Sequence, residues 1–221
     1  MESYELDKWN WTEQDFEYMG WHDCPIYAMR FDDQVALDID YILKWNKPDI
    51  EGMPFTFWIS PATLTFKEVT SFKSEFEMDF INGLEIVAIS KGTSDGPTQW
   101  NIDTQQGTLV IYATSFEQVI RRKPTLQFWQ YIQAYERGDI SFSTSSEMNF
   151  QLEDSAEQKR KDEFSNYERV RKLNILRKEY QAFIDQRDAT LTKEFLIRKR
   201  TFEKQISELT ELLNETSFKG W

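Results

Sequence analysis

Cysteine and histidine are nearly absent from this chain of 221 residues, which contains one of each, Cys24 and His22. A single cysteine forms no intrachain disulfide, and this favours a reducing compartment. Zinc sites usually have three or four nitrogen or sulfur ligands, whereas the chain offers two such residues. We therefore expect a cytoplasmic protein that holds no metal and needs no cofactor.

Long apolar runs are absent as well. No run of 18 apolar residues occurs, so the sequence predicts no transmembrane helix. The start, "MESYELDKWNW", is acidic and lacks the apolar stretch of a signal peptide. The mean hydropathy is low, at -0.64, but 15% of the residues are aromatic, which indicates a folded chain with an aromatic core.

Basic residues are scarce in the first two-thirds of the sequence. Residues 1–150 contain 24 Asp and Glu against 11 Lys and Arg, whereas residues 151–221 contain 14 and 15. An acidic surface repels nucleic acid and attracts basic proteins. We expect the first region to bind a basic protein partner, and we expect it to bind neither nucleic acid nor a membrane.

Proline and glycine are missing from residues 139–219, and this absence divides the chain. The residues before 139 contain short apolar stretches separated by turn residues. Residues 139–219 contain a charged sequence in which apolar residues recur with a helical period. The sequence therefore predicts an α+β protein with segregated regions. Residues 1–150 form an acidic antiparallel β-domain, and residues 151–221 form an amphipathic, coiled-coil-like helical arm.

Strict alternation of side chains marks the strands of the first region. Residues 35–45 place six apolar side chains on one face, from Val35 to Trp45, and with the turn "DDQ" and residues 25–31 they predict a hairpin. Further strands are predicted over residues 55–59, 62–69, 74–81, 84–90, 99–103 and 108–113, with 140–143 as a candidate closing strand. Many short strands with tight turns indicate an antiparallel sandwich or barrel. A capping box, "TEQD", predicts a short helix over residues 13–19.

The second region reads as helix. "SAEQ" at Ser155 matches a capping box, and apolar residues recur every three or four positions from Phe164 to Leu213. Such a helix must bury its apolar stripe. One long helix that pairs with a second copy is favoured over a helical hairpin that folds back near "DQRDAT", residues 185–190. The residues predicted to mediate oligomerisation are Phe195, Phe202, Ile206, Leu209 and Leu213.

The stretch "GWHDCP" concentrates the residue types of nucleophilic catalysis. On an extended strand, His22 and Cys24 point to one face and Asp23 points to the other. No second histidine exists to act as a base for the thiol. We interpret the stretch as the entry to the first strand of the sheet, with Cys24 packed as a small hydrophobic residue. We predict no catalytic residue and no enzyme activity.

Two acidic rows are the candidate binding residues. Asp38 and Asp40 share one strand face, and Glu75, Glu77 and Asp79 form a second row. Paired carboxylates serve acid–base chemistry, bind cations or remain solvated, and neither a calcium loop nor a nucleophile motif accompanies these. We predict a negative surface that docks a basic partner. The basic cluster "IRRKP", residues 120–124, is interpreted as an internal salt-bridge partner or a strand-end anchor and not as a phosphate site.

Several stretches resemble known proteins. "GWHDCPIYAMRF", "VALDIDYILKW", "FWISPATLTFKEV" and "WNIDTQQGTLVIYATSFEQVIRRKP" resemble a group of small uncharacterised bacterial proteins with a W-H-D start, an L-x-I-D-Y-I strand and an F-W-x-S-P-x-T-L-x-F strand. Over residues 19–124 the arrangement is also similar to β-rich immunity proteins of polymorphic toxin systems. The helical arm has no counterpart in either group, which implies a fused arm for oligomerisation or partner binding.

These observations predict a non-catalytic protein-binding module. It is immunity- or antitoxin-like, and it neutralises a basic partner through its acidic β-domain. The alternative is a structural adaptor that assembles through the C-terminal helix, either as a homo-oligomer or in a larger bacterial complex.

Overall fold

A computed structural model describes residues 4–77, 83–93, 96–186 and 192–218 of the chain. These residues divide into two compact units. The first contains residues up to Asn46 together with Thr56–Gln151, and the second contains Lys47–Phe55 together with residues 152–218. A loop from the first half of the chain therefore belongs to the helical unit.

Among the described residues, the first unit forms an antiparallel sheet of ten strands, which confirms the predicted β-region. The strand order is β1-β9-β4-β3-β2-β6-β7-β8-β5, and β10 pairs with β4. The strands are β1 (Asn10–Thr12), β2 (Cys24–Phe31), β3 (Val35–Asn46), β4 (Thr56–Lys67), β5 (Ser71–Phe76), β6 (Leu84–Gly92), β7 (Thr98–Thr104), β8 (Gly107–Ala113), β9 (Ser115–Ile120) and β10 (Thr125–Gln127).

The hydrogen-bonded strand order is open, but the chain connects its two sides, because β8 and β9 are consecutive with Thr114 between them. Since β9 pairs with β4 and β8 pairs with β7, paired neighbours run in a ring through β4, β3, β2, β6, β7 and the joined β8 and β9. Where β4 ends, the N–H of Thr114 donates to the carbonyl of Lys67 at 3.2 Å. The result is a barrel-like ring around one core, and β5 lies at the end of the strand order.

The alternation of β3 explains which side chains form that core. Leu37, Ile39 and Tyr41 lie on its inward face, as predicted, and all three are buried. Aromatic rings from other strands pack with them inside the ring. The rings of Trp100 and Phe116 meet edge to face with 5.0 Å between their centroids. A fully buried large apolar side chain contributes about 1.5–3 kcal/mol, so these rings supply much of the stability.

β4 is one strand of 12 residues, whereas the sequence predicts two shorter strands, one on each side of Pro61. Proline has no N–H to donate, but the carbonyl of Pro61 accepts the N–H of Arg121 at 2.9 Å. The length of β4 lets it pair with β9 over one half and with β10 over the other.

The prediction also differs from the structure at the short strands. It omits β1, β9 and β10, and residues 140–143 form no strand. β9 follows β8 after one residue without a glycine or proline, so the sequence carries no turn signal there. The predicted capping box is confirmed, because the N–H of Thr12 donates to Asp15 at 2.9 Å at the start of the 3₁₀ helix Glu13–Tyr18.

The helices are α1 (Ala134–Arg137) in the first unit and α2 (Asp154–Asp185) and α3 (Lys193–Leu213) in the second. α2 begins one residue before Ser155, so the capping box predicted at that serine does not start the helix. Because α2 ends at Asp185 and α3 begins at Lys193, the arm contains two helices where the sequence analysis favours one.

Aromatic contacts show that α2 and α3 pack against each other as a hairpin. The ring of Phe183 lies 4.7 Å from that of Phe195 and 5.8 Å from that of Phe202, centroid to centroid. The hydroxyl of Tyr180 donates to Glu203 at 3.1 Å. The prediction of a single long helix is therefore wrong, because the apolar side chains of α2 and α3 pack against each other within one chain.

The loop between β3 and β4 packs on α2 within the helical unit. Arg171 donates to the carboxylate of Asp49 at 2.7 Å, and the amide of Asn174 donates to the carbonyl of Gly52 at 3.3 Å. Met53 is buried beside the same asparagine. The second unit is thus built from two separate stretches of the chain.

Candidate functional site

Asp38 and Asp40 lie on the face of β3 that points away from the core cluster of Leu37, Ile39 and Tyr41. Both side chains are nevertheless buried. Each side chain has an exposed fraction of 0%. Residues 128–147, which we call the covering segment, supply main-chain donors to both carboxylates and the side chain of Arg137 to Asp40. The predicted role of these two aspartates on a partner-binding surface is therefore wrong, because the chain itself covers them.

Asp38 accepts hydrogen bonds from three elements. The hydroxyl of Thr63 on β4 donates to Oδ1 at 2.7 Å, and the N–H groups of Ser141 and Phe142 donate to Oδ2 at 3.0 and 3.1 Å. The guanidinium of Arg121 lies 3.5 Å from Oδ2. Phe142 has φ at 46°, in the left-handed region that aromatic residues seldom adopt, and this conformation presents its N–H to the carboxylate.

Asp40 is bound by the first half of the covering segment. The N–H of Ile132 donates to Oδ2 at 2.9 Å, and Nε of Arg137 donates to Oδ1 at 3.0 Å. Nη2 of the same arginine donates to Oδ2, so the pair is bidentate. Burial raises the pKa of Asp40, and the hydrogen bonds and charge of Arg137 oppose that rise.

Tyr27 joins the two ion pairs. Its hydroxyl accepts a hydrogen bond from Nη2 of Arg121, and the guanidinium carbon of Arg137 lies 4.3 Å from its ring centroid. Burial raises the pKa of Tyr27, so its hydroxyl stays protonated at neutral pH. The interpretation of "IRRKP" as internal salt-bridge residues is confirmed, since Arg121 pairs with Asp38 and Arg122 with Glu147.

Two aspartates, two arginines and one tyrosine therefore form a buried network in which the two negative and two positive charges cancel. Its members are Asp38, Asp40, Arg121, Arg137 and Tyr27. The carboxylates accept protein donors on both oxygens, so the network anchors the covering segment to the sheet. Arg137 is the partner that sequence reasoning missed, because it lies 97 residues beyond Asp40 with no periodic pattern linking them.

The "GWHDCP" stretch forms a turn that leads into β2. The N–H of Cys24 donates to the carbonyl of Trp21 at 3.0 Å, and Asp23 has φ at 61°. The stretch is not extended, and the turn brings Nε2 of His22 within 3.5 Å of Asp23. Cys24 is fully buried, which confirms its packing as a small hydrophobic residue, and burial raises the pKa of its thiol to about 12.

Within the second acidic row, Glu75 lies on the outer face of β5, and Glu77 follows just beyond the end of the strand at Phe76. Glu75 and Glu77 are exposed, while Asp79 lies outside the described residues. Glu75 is opposite Thr108 on β8, which is in turn opposite Asp103 on β7. The exposed Asp103 thus extends the row across the sheet, and alternation within "QWNID" was the signal that could have found it. Glu75, Glu77 and Asp103 are called the β5 acidic surface below.

The residues predicted to mediate oligomerisation lie on α3. Phe195 and Phe202 contact Phe183 of α2, and Ile206 and Leu209 are half-buried. Leu213 is buried. Much of this stripe is therefore covered within one chain, and assembly through it stays a prediction.

The described residues contain no cluster of metal ligands and no membrane-spanning helix. Among them, no group of three or more His, Cys, Asp or Glu side chains is placed to hold a metal ion. No helix within residues 4–77, 83–93, 96–186 and 192–218 is long and apolar enough to cross a membrane.

Comparison with known proteins gives one structural neighbour. The sequence matches no protein-family model and no curated protein. An uncharacterised protein from Neisseria gonorrhoeae shares 14% sequence identity with the chain, and the match covers 49% of this chain and 97% of that one. The TM-score of this match is 0.29.

Proposed function

We propose that the protein is a non-catalytic binding module that recognises a basic protein through the β5 acidic surface. The observation that carries this proposal is the exposure of Glu75, Glu77 and Asp103, in contrast to the buried aspartates of β3. The immunity-like resemblance of residues 19–124 supports a toxin-neutralising form of this role.

The excess of acidic over basic residues in the first 150 positions also supports a binding site for a basic protein. The buried network contains two aspartates and two arginines, so it removes equal numbers of acidic and basic groups. The excess of acid in residues 1–150, 24 acidic against 11 basic side chains, therefore lies outside the network. A surface of this kind speeds the encounter with a cationic protein and makes association sensitive to salt.

A charge-reversal experiment tests the proposal with decalysine as the probe. We expect the full chain to bind the peptide at low salt, and Glu75→Lys with Glu77→Lys to weaken binding by about tenfold. The matched control is Glu5→Lys with Glu17→Lys, which makes the same charge change at two other exposed positions. Equal losses in both double variants would show attraction by net charge alone and would remove the β5 acidic surface as the site.

The alternative role, assembly through the helical unit, is favoured by a different observation. Leu196, Ile197 and Leu212 of α3 stay exposed, with 57% of the last two accessible. Sedimentation of the full chain and of Ile197→Glu tests this role. A self-associated wild type that becomes monomeric on substitution supports assembly, and a monomeric wild type at high concentration contradicts it.

A further inference from the structure

The free edge of β5 is a second feature of the surface just described. β5 ends the strand order, and in the described part of the chain β8 is the neighbour with which it pairs. The N–H of Glu77 donates to the carbonyl of Gln106 at 2.9 Å. This bond fixes which residues of β5 direct their main-chain N–H and C=O groups toward β8. Main-chain groups alternate between the two sides of an antiparallel strand. Lys73 and Glu75 therefore direct theirs to β8, and Phe72, Ser74 and Phe76 direct theirs to the free edge.

The side chains of β5 lie in two environments, and Ser74, on the same face as Phe72 and Phe76, is exposed. Phe72 and Phe76 are half-buried and pack against the core, whereas Lys73 and Glu75 are exposed. Beside Phe72 stands Phe31, at the end of β2, with its ring centroid 4.8 Å away and 54% of its surface exposed. An exposed phenylalanine next to a free strand edge offers apolar area to whatever lies along that edge.

We propose that β5 binds an extended segment of a basic protein as an additional strand. The inference rests on the proposed function and adds the mode of recognition. Main-chain hydrogen bonds to Phe72, Ser74 and Phe76 supply affinity, as in other cases of strand addition. The incoming residues alternate between apolar side chains, which cover Phe31 and Phe72, and basic side chains, which face Glu75. The occupant is therefore a segment with a two-residue repeat of apolar and basic residues.

Peptide binding to the full chain tests the mode of recognition. The probes are a labelled six-residue peptide that alternates lysine and valine, matching the length of β5, and an isomer with its lysines in one block. We expect the alternating peptide to bind about tenfold more tightly than the block isomer. Equal affinities would overturn strand addition while leaving the β5 acidic surface as a charge-driven site.

Ser74→Pro removes the central outward N–H of β5, and Ser74→Ala is its matched control, since it keeps that N–H. We expect the proline variant to lose about tenfold in affinity for the alternating peptide and the alanine variant to bind as the wild type does. Thermal unfolding reports whether each variant is folded. A folded proline variant with unchanged affinity would overturn the proposal.

Hydrogen exchange on the wild type provides a measurement that needs no substitution. The alternating peptide should slow exchange of the amides of Phe72, Ser74 and Phe76. Salt-sensitive binding without this protection would reject strand addition and keep the proposed function. If decalysine and the alternating peptide both fail to bind, both proposals fail.

Discussion

Arg137 binds Asp40 from 97 residues further along the chain, with Nε donating to Oδ1 at 3.0 Å. The carboxylate is fully buried, while 17% of the arginine side chain is exposed. A buried ion pair contributes little net stability, but removal of one partner leaves an uncompensated buried charge. The pair therefore specifies where the covering segment lies.

Asp40→Ala is expected to destabilise the first unit strongly, by about 3–5 kcal/mol, since it leaves Arg137 and the N–H of Ile132 without their acceptor. Urea unfolding followed by tryptophan fluorescence measures the loss. Glu17→Ala removes an exposed carboxylate and serves as the control. A loss for Asp40→Ala no greater than that for Glu17→Ala would show that the pair does not hold the segment.

The pH dependence of stability should also reveal Asp40. Its folded pKa is raised, so the folded state holds this proton to higher pH than the unfolded state does. The contribution of Asp40 to stability is then greatest at acidic pH and falls as pH rises from about 4, the unfolded value, through the raised pKa. The difference in unfolding free energy between wild type and Asp40→Asn should therefore shrink between pH 4 and pH 7. A difference that grows over this range would contradict the raised pKa.

Cys24 is expected to be inert toward thiol reagents in the folded protein. Its side chain is fully buried, and the raised pKa keeps the thiol protonated at neutral pH. An absorbance assay with a disulfide reagent should show no reaction in buffer and one equivalent in urea. Rapid stoichiometric reaction in buffer would show a reactive cysteine and reopen a catalytic role for "GWHDCP".

Gly107→Ala should weaken the pairing of β5 with β8. Gly107 has φ at 145°, and an added Cβ would lie 2.0 Å from the carbonyl oxygen of Glu75. Since the backbone must shift, we expect a loss of more than about 1 kcal/mol. Gly20→Ala is the control, because no atom lies within 4 Å of its Cβ position. Equal thermal stability of the two variants would argue against this close approach.

Phe183→Ala should loosen the helical hairpin. The ring contacts Phe195 and Phe202 on α3, and truncation of a half-buried aromatic residue costs about 1–2 kcal/mol. Helical circular dichroism during thermal unfolding reports the effect, with Leu212→Ala, at 57% exposure, as the control. Identical melting of the two variants would indicate that the helices separate in solution.

The sequence alone determined the fold class and most strand positions. Val35, Leu37, Ile39 and Tyr41 share one face of β3, and period-two alternation places one set of side chains inside wherever a sheet has a buried face. The alternation ends at a register shift between Ile42 and Lys44, and Trp45 is 40% exposed. The loss of Gly and Pro after residue 138 separated the strand-rich region from the helical one, and "TEQD" identified the cap at Thr12, because these are local effects of neighbouring residues.

Only the tertiary structure decided which acidic residues are free. Asp38 and Asp40 have the same local pattern as Glu75 and Glu77, alternating with apolar residues along a strand. The first pair is covered by residues that follow about a hundred positions later, whereas Glu75 lies on β5, at the end of the strand order, and Glu77 lies just beyond that strand. The choice between one helix and a hairpin had the same origin. Burial depends on which distant segment covers a face, and local periodicity contains no information about that partner.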